Sequence, residues 1–492
     1  VIRRPLLILA LLLGACHGRD AVPVAHRAVA NLVAGAASAI TLQPGINVRD
    51  FGATGDGVTD DRAAIQAALD AGAGVTVHVP AGRYLVGKGA GFWCLTIRAG
   101  TTLLGDPGAV FVQAGGTAAS VRLLEVDTAG VVIDGLVLDG NRAAQVPDEH
   151  RAGIFADGAG VLTIRNVTAQ NFAGDGLYLH TGSNGVTLDH VTAIGNSRNG
   201  LTLGGGTTGT VITHGRFVDN GAQQLDSEPG TGATVDGVTI TDSTLDGGGV
   251  SGDFVLTVSG SGEAVRSRGW TVERNIINGP INVVWATDVV IRGNRGGINA
   301  TGKPCVTVYR SCDRVRVADN DLVSTGAAPS VVEVVGTGIG QAPDHVVIER
   351  NVITTAAVAF GIHVITARDV QVVDNEIRGA GKSADYNAGV YARATVLGED
   401  IRALVVRGNR IADFGAYAVS ASSSPGAIRL VDVTANVFDD VSGSMPAALS
   451  FDTAVDVRQA GNLLIGGCAT LVAHAPAGSR AAWGDGDRWV AQ

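Results

Sequence analysis

The sequence predicts an all-β solenoid: a single coil of short stacked strands, closed at its N-terminal end by one short helix. Three observations carry this expectation. An apolar-x-apolar-x-x-Asn pattern, or a near variant, keeps returning. It occurs as Leu162-Thr163-Ile164-Arg165-Asn166, Val186-Thr187-Leu188-Asp189-His190 and Trp270-Thr271-Val272-Glu273-Arg274-Asn275, with later copies ending at Asn294, Asn320, Asn351, Asn375 and Asn409. The step from Ile164 to Leu188, between the first two copies, equals the step from Asn351 to Asn375. A fixed period of this order marks turns that bury their apolar faces only against one another. Composition agrees: 46% hydrophobic residues, only 4% aromatics and 70 glycines give a small-aliphatic core with many corners, unlike a disordered chain. Finally, a helical pattern and a strand stand directly before the repeat. Length alone suggests three domains, but the repeat runs to about residue 460 without a linker-like break, so one domain over 46–492 is expected.

Taken in order, residues 1–16 read as an export signal. Arg3 and Arg4 precede the apolar run Pro5–Leu13, which is too short to span a membrane. Leu13-Gly14-Ala15-Cys16 resembles a bacterial lipobox, which implies cleavage before Cys16, lipidation of its thiol and an Ala-rich tether over 17–45. The expected location is therefore the cell envelope, lipid-anchored in the outer membrane or periplasm, or the secreted fraction.

The capping segment is 46–86. Asp56-Gly57 is turn chemistry, and Thr59, Asp60 and Asp61 place acidic groups at the positive end of a helix dipole. Ala64, Ile65, Ala68 and Leu69 recur at helical spacing until Gly72 and Gly74, and Val75–Val79 then alternates as a strand stopped by Pro80. A helix here covers the open end of a sheet that would otherwise invite edge pairing. The same stretch, with Asp50-Phe51-Gly52-Ala53, Gly55-Asp56-Gly57, Thr59-Asp60-Asp61 and Pro80-Ala81-Gly82-Arg83-Tyr84, resembles the opening of the pectate-lyase-like (rhamnogalacturonase/epimerase-like) family. That resemblance implies a right-handed parallel β-helix and a polysaccharide substrate. It leaves the reaction open, since one fold hosts many chemistries. The polygalacturonase set of catalytic motifs is missing from the central turns, as is the Asp-Pro-His motif of mannuronan epimerases. No family catalytic residue is carried over.

Net charge is −10, with only three lysines, Lys88, Lys303 and Lys382. This disfavours nucleic acid or an anionic membrane surface as partner, leaving membrane contact to the lipid anchor alone. Cys94, Cys305, Cys312 and Cys468 match neither a zinc motif nor a disulfide framework and are expected as buried thiols. Monomer and homotrimer are both compatible with the sequence.

The candidate site follows from setting four turns in register. Ile154, Leu177, Leu201 and Leu225, which recur at nearly equal steps of one turn, serve as inward anchors. Alternation then sends Phe155, Tyr178, Thr202 and Asp226 outward in one column, and Asp157, His180, Gly204 and Glu228 in the next. Asp226 and Glu228 are expected roughly 7 Å apart on one strand, with Tyr178 and His180 about 10 Å away across small Thr202 and Gly204. These four are the catalytic candidates. Phe155 offers a face for sugar stacking; Arg151, Asp175, Arg198, Asn199, Gln224 and His150 are candidate substrate contacts. Three chemistries fit. Hydrolysis by the Asp226/Glu228 pair leads and requires no cofactor. β-Elimination on a uronate would use Tyr178, His180 or an arginine as base, with an arginine or calcium neutralising the acid; epimerisation shares that first step. A non-catalytic polysaccharide-binding surface protein is the rival from another class.

Overall fold

The computed structural model describes residues 45–116, 120–247, 254–296, 302–326, 328–355, 360–379, 387–423, 425–440, 443, 445–452, 454–468, 470–472 and 487–490. The expected export signal, Cys16 and the tether through Pro44 lie outside them.

The chain forms a parallel β-helix. Each short strand pairs in parallel with the strand one turn later, producing a sixteen-stranded sheet from Ile46–Asn47 to Ala454–Ala460 and a fourteen-stranded sheet from Trp93–Thr96 to Leu449–Phe451. A ten-stranded sheet runs from Asp56–Asp60 to Arg295–Gly296, and a seven-stranded sheet from Asp321–Ser324 to Arg488–Val490. The N-terminal helix covers Arg62–Ala71 and buries Ile65, Ala68 and Leu69. Asp61 stands at its N-cap position without capping it. Its carboxylate instead accepts from the Thr54 and Gly55 N–H groups at 2.7 and 3.0 Å, tying the preceding loop to the helix.

The anchor residues stack as the sequence predicts. Ile154 pairs with Leu177, Leu177 with Leu201 and Leu201 with Leu225, all fully buried, and the column continues through Leu256 and Ile281. Full burial of one such side chain is worth about 1.5–3 kcal/mol relative to exposure. Stacked aliphatics thus fix the register, because a one-residue slip would turn the whole column to solvent.

A second internal device is an amide ladder. Asn275, Asn294, Asn320, Asn351, Asn375, Asn409, Asn436 and Asn462 are all buried. Each passes its backbone N–H and side-chain amide to the oxygen of the next; Asn320, for example, donates from both to Asn351 Oδ1 at 3.0 and 2.9 Å. The residue before each takes the left-handed conformation, as Arg274, Asp319 and Arg350 do at φ 55°, 56° and 51°. Two copies of the motif lie off this ladder. Asn166 and His190 align with Arg274 at the outward corner, and the ladder position in those turns is taken by buried Val167 and Val191.

Cys94, Cys305, Cys312 and Cys468 are buried free thiols, as expected. Burial pushes Cys305 and Cys312 up to about 12, which keeps both protonated and inert.

Candidate active site

The two outward columns of the fourteen-stranded sheet carry the site. Phe155 pairs with Tyr178, Tyr178 with Thr202 and Thr202 with Asp226; Asp157 pairs with His180 and Gly204 with Glu228. This is the predicted register. What the side chains do within it differs in several places.

Asp226 and Glu228 share a hydrogen bond instead of standing apart. Alternation places both on one face of their strand, and their side chains lean together. The pair therefore titrates as a unit. Burial, then the charge and hydrogen bond of Glu228, push Asp226 up to about 8. Burial acts to raise Glu228 too, but hydrogen bonds from Arg198 and Asp226 and the Arg198 charge outweigh it and hold Glu228 below the ordinary glutamate range. One proton thus stays on the pair at neutral pH, with Asp226 its carrier. Glu228 is the outer member, its side chain 34% exposed, and is gripped by an Arg198 hydrogen bond.

The other arm of Arg198 reaches Asp175 Oδ2 at 2.8 Å. Asp175, expected as a substrate contact, has a fully buried side chain. It also accepts from the Asn199 N–H and the Thr202 hydroxyl, both at 2.9 Å. Burial first, set against Arg198, leaves it raised to about 7. Asp175 therefore orients Arg198 from below. Asn199 is likewise buried, its amide donating to Thr202 Oγ1 at 3.0 Å and toward Asp226 Oδ2 at 3.4 Å. It positions Asp226 and does not face a ligand.

Tyr178 does not wait across an open floor. A Cβ at Gly204 would stand 3.1 Å from Tyr178 Cε2, so the ring lies over this glycine and occupies the space expected for a sugar. Burial, then the Glu228 and Asp175 charges, push its phenol up to about 12. Tyr178 is consequently a hydrogen-bond donor at neutral pH, and the expectation of Tyr178 as a base is not supported. His180 is 39% exposed; its Nδ1 lies 3.1 Å from Asp157 Oδ1, and the ring stacks on Phe155 at 5.4 Å.

Phe155 is buried beneath its neighbours and gives no free face for a sugar. The Arg122 guanidinium lies 3.7 Å from its ring centroid and Trp93 stacks at 6.2 Å. Gln224 turns inward and accepts from the Asn220 amide at 2.7 Å, so the expected ligand contact is not met. Arg151 is equally buried, donating to Gln145 Oε1 at 2.9 Å and lining a separate cavity of about 220 Å³ with Lys88, Cys94 and Gln113. His150 stays on the surface, its Nδ1 3.6 Å from Asp148 Oδ1 and from Glu149 Oε1.

Sequence reasoning missed Arg122, Trp93 and Glu125. Glu125 pairs with Phe155, so the column continues beyond it. The signal was present in Leu124, which pairs with Ile154, but an insertion between the two lengthens that turn beyond its neighbours and hid it. Among the described residues, this face thus presents Glu228, Arg198, Tyr178, His180 and Asp157 to solvent, with Asp226 just beneath. Groups of three acids and histidines at ligand-like spacing occur elsewhere among the described residues. The two clusters with ligand-like spacing, Asp189/His190/His214 and Asp344/His345/Asp369, lie on the sixteen-stranded sheet and the corner beside it.

Comparison with known proteins places this geometry in context. Residues 45–307 match the family model for rhamnogalacturonase A/epimerase, pectate lyase-like proteins. Mannuronan C5-epimerase AlgE5 of Azotobacter vinelandii is 53% identical over 64 residues, covering 12% of this chain and 6% of that protein. Plasmin and fibronectin-binding protein A of Streptococcus pneumoniae is 32% identical over 145 residues, 25% of this chain and 20% of that one. The chain thus matches only a small part of these relatives' length. Among solved structures, the A-module of Azotobacter vinelandii mannuronan C-5 epimerase AlgE6 aligns over 88% of this chain and 100% of its own, at 22% identity and a TM-score of 0.45. With more than half of its 492 residues inside the family match, this chain belongs to the rhamnogalacturonase A/epimerase, pectate lyase-like family.

Proposed function

We propose that this protein is a carbohydrate-active enzyme that hydrolyses a glycosidic bond in a polysaccharide, with the Asp226–Glu228 pair as the acid. The observation that carries this reading is the packing of Asp226 with Glu228 and Arg198 on one outward face, which holds a single proton on two carboxyl groups. A carboxylic acid still protonated at neutral pH can protonate a leaving glycosidic oxygen. The proton leaves Asp226 through Glu228, the exposed member, for the leaving oxygen, and both carboxylates are ionised until a proton from water is returned to the pair. Because the two carboxyls form one unit, they do not supply both acid and base across a sugar, as the wider separation expected from strand alternation would have allowed. The base falls to His180, oriented by Asp157 and two strands from Glu228, about 10 Å at sheet spacing. Because the Tyr178 ring fills the floor between them, the sugar and a water lie above that ring in this reading. Tyr178 donates a hydrogen bond between them, and Arg198 keeps Glu228 ionised after proton transfer.

A second reading has support of its own. The likeness to a mannuronan C5-epimerase favours a uronate substrate. In that case Arg198 and the protonated pair neutralise the uronate carboxylate, His180 removes the C5 proton, and elimination or epimerisation follows.

The test uses the full chain on polymannuronate, polyguluronate, homogalacturonan and α-1,3-glucan. New reducing ends without ultraviolet absorbance of unsaturated uronate, lost in Asp226→Asn and Glu228→Gln, are the expected result. Absorbance rising with the ends moves the chemistry to elimination; C5 proton exchange without new ends moves it to epimerisation. Binding without any turnover would overturn the enzyme reading altogether.

A further inference from the structure

The column that carries Asp226 does not stop there. Asp226 pairs with Thr257, and the register continues through Asn282, Thr307, Glu333, His363 and Tyr391. Thr257, Asn282 and Thr307 make a floor of small polar side chains. Beyond it the chemistry changes abruptly. Tyr391 stacks on Phe360 at 4.7 Å and 29°, His363 lies 5.3 Å from Tyr391 at 15°, and Phe360 is 4.8 Å from His363. In a chain with only 4% Phe, Trp and Tyr, three partly exposed rings in mutual contact, two of the three pairs stacked, are not a by-product of composition.

The histidine adds a second, independent observation. His363 has 13% of its side chain exposed, yet neither ring nitrogen has a hydrogen-bond partner among the described residues, although Glu333 Oε1 lies 3.4 Å from Nδ1. A largely buried donor left without a partner is unfavourable, and a ligand hydroxyl supplies the missing bond. A pyranose ring has what this patch lacks: an apolar C–H face to lie on the rings and a rim of hydroxyls for His363 and Glu333.

We propose that Phe360, His363, Tyr391 and Glu333 form a second carbohydrate-binding platform, which holds a distant stretch of the same polysaccharide chain that occupies the Asp226–Glu228 site. Tyr391 is six strands beyond Asp226, about 29 Å at sheet spacing, so only a chain several sugars long reaches both. The platform rests on the polysaccharide reading above but not on hydrolysis. It raises the effective concentration of a long chain at that site, as linked binding sites do.

The test is binding, in an Asp226→Asn background, to polymannuronate and α-1,3-glucan, each as polymer and as disaccharide. Phe360→Ala and Tyr391→Ser are made separately, so that loss of the thermal transition in one leaves the other. Each is expected to weaken the Kd for the bound polymer about tenfold and to change the disaccharide Kd by less than twofold. Equal weakening for both lengths, or no change for the polymer, overturns the platform. The two readings separate cleanly. Length-dependent binding with no turnover by the unsubstituted protein keeps the platform and removes the hydrolase. Turnover with length-independent binding does the reverse.

Discussion

At the scale of the residue, the candidate site is governed by how few groups remain free. Asp226 has its proton held by burial and by Glu228, and Glu228 has its charge held by Arg198. Asp226→Asn keeps the shape and removes the transferable proton; kcat/KM is expected to fall by about 10²–10⁴-fold, the usual range for a general acid. A pH profile from 5 to 10 provides the companion measurement. The acid must be protonated to act, so the alkaline limb of the unsubstituted enzyme should fall near pH 8, where the pair loses its proton. An alkaline limb at the same pH in Asp226→Asn would assign it elsewhere. Gly204 gives a sharper test of position. Its Cβ would stand 3.1 Å from the Tyr178 ring and 3.2 Å from the Leu179 oxygen, so Gly204→Ala must shift the phenol by a few tenths of an ångström. Roughly tenfold loss of kcat/KM is expected, because small misplacements of a positioned group are costly. An unchanged rate would mean that Tyr178 takes no part.

At the scale of the element, what the sequence made legible was the register. Ile154, Leu177, Leu201 and Leu225 sit where apolar alternation put them, and that was enough to bring Tyr178, His180, Asp226 and Glu228 to one face. It was not enough to say which side chains reach solvent. Whether Phe155 is bare or roofed by Arg122, and whether Gln224 turns out or in, depends on rotamers and on neighbours one turn away, which period and alternation do not encode. The Asn motif shows the same limit. Asn166 and Asn351 look alike in sequence, yet Asn166 is at an outward corner, hydrogen-bonded to Asp134, while Asn351 is a buried ladder rung. Asn351→Ala strands the Asn320 backbone N–H and removes one hydrogen bond each from the Asn320 side-chain amide, the Val317 oxygen and the Asn375 oxygen, the last of which keeps the Asn351 N–H. A loss of about 2–4 kcal/mol is expected from such unmade buried hydrogen bonds. Asn166→Gly, which suits the left-handed backbone at φ 54°, should stay within about 1 kcal/mol. Urea unfolding measures both, and equal losses would mean that the ladder adds no stability.

At the scale of the whole molecule, a solenoid that stores two raised aspartates two turns apart should carry a pH dependence of stability with an unusual sign. Asp226 and Asp175 keep their protons to about 8 and 7 in the folded chain, against an ordinary aspartate value of 3.8. Between those values the folded state binds more protons than the unfolded state. The stabilisation linked to these protons is therefore complete below about pH 4, declines as pH rises and is gone above about pH 8. The surface carboxylates work in the opposite direction and in another window. Asp242, Asp288 and Asp319, each held low first by a hydrogen bond from an arginine of the next turn, lose their contribution only as pH falls below the ordinary aspartate range. His345, raised first by its hydrogen bond to Asp313, adds a loss of its own as pH rises past neutrality. A comparison between variants cancels these background terms. From pH 5 to 8 the urea midpoint of the unsubstituted protein is expected to fall, and that of Asp226→Asn to fall by less, so that the substitution is increasingly stabilising as pH rises. A parallel pair of curves would mean that Asp226 ionises as readily in the folded chain as outside it. That result would remove the proton on which the acid role of the pair depends, and it would do so without any substrate in the tube.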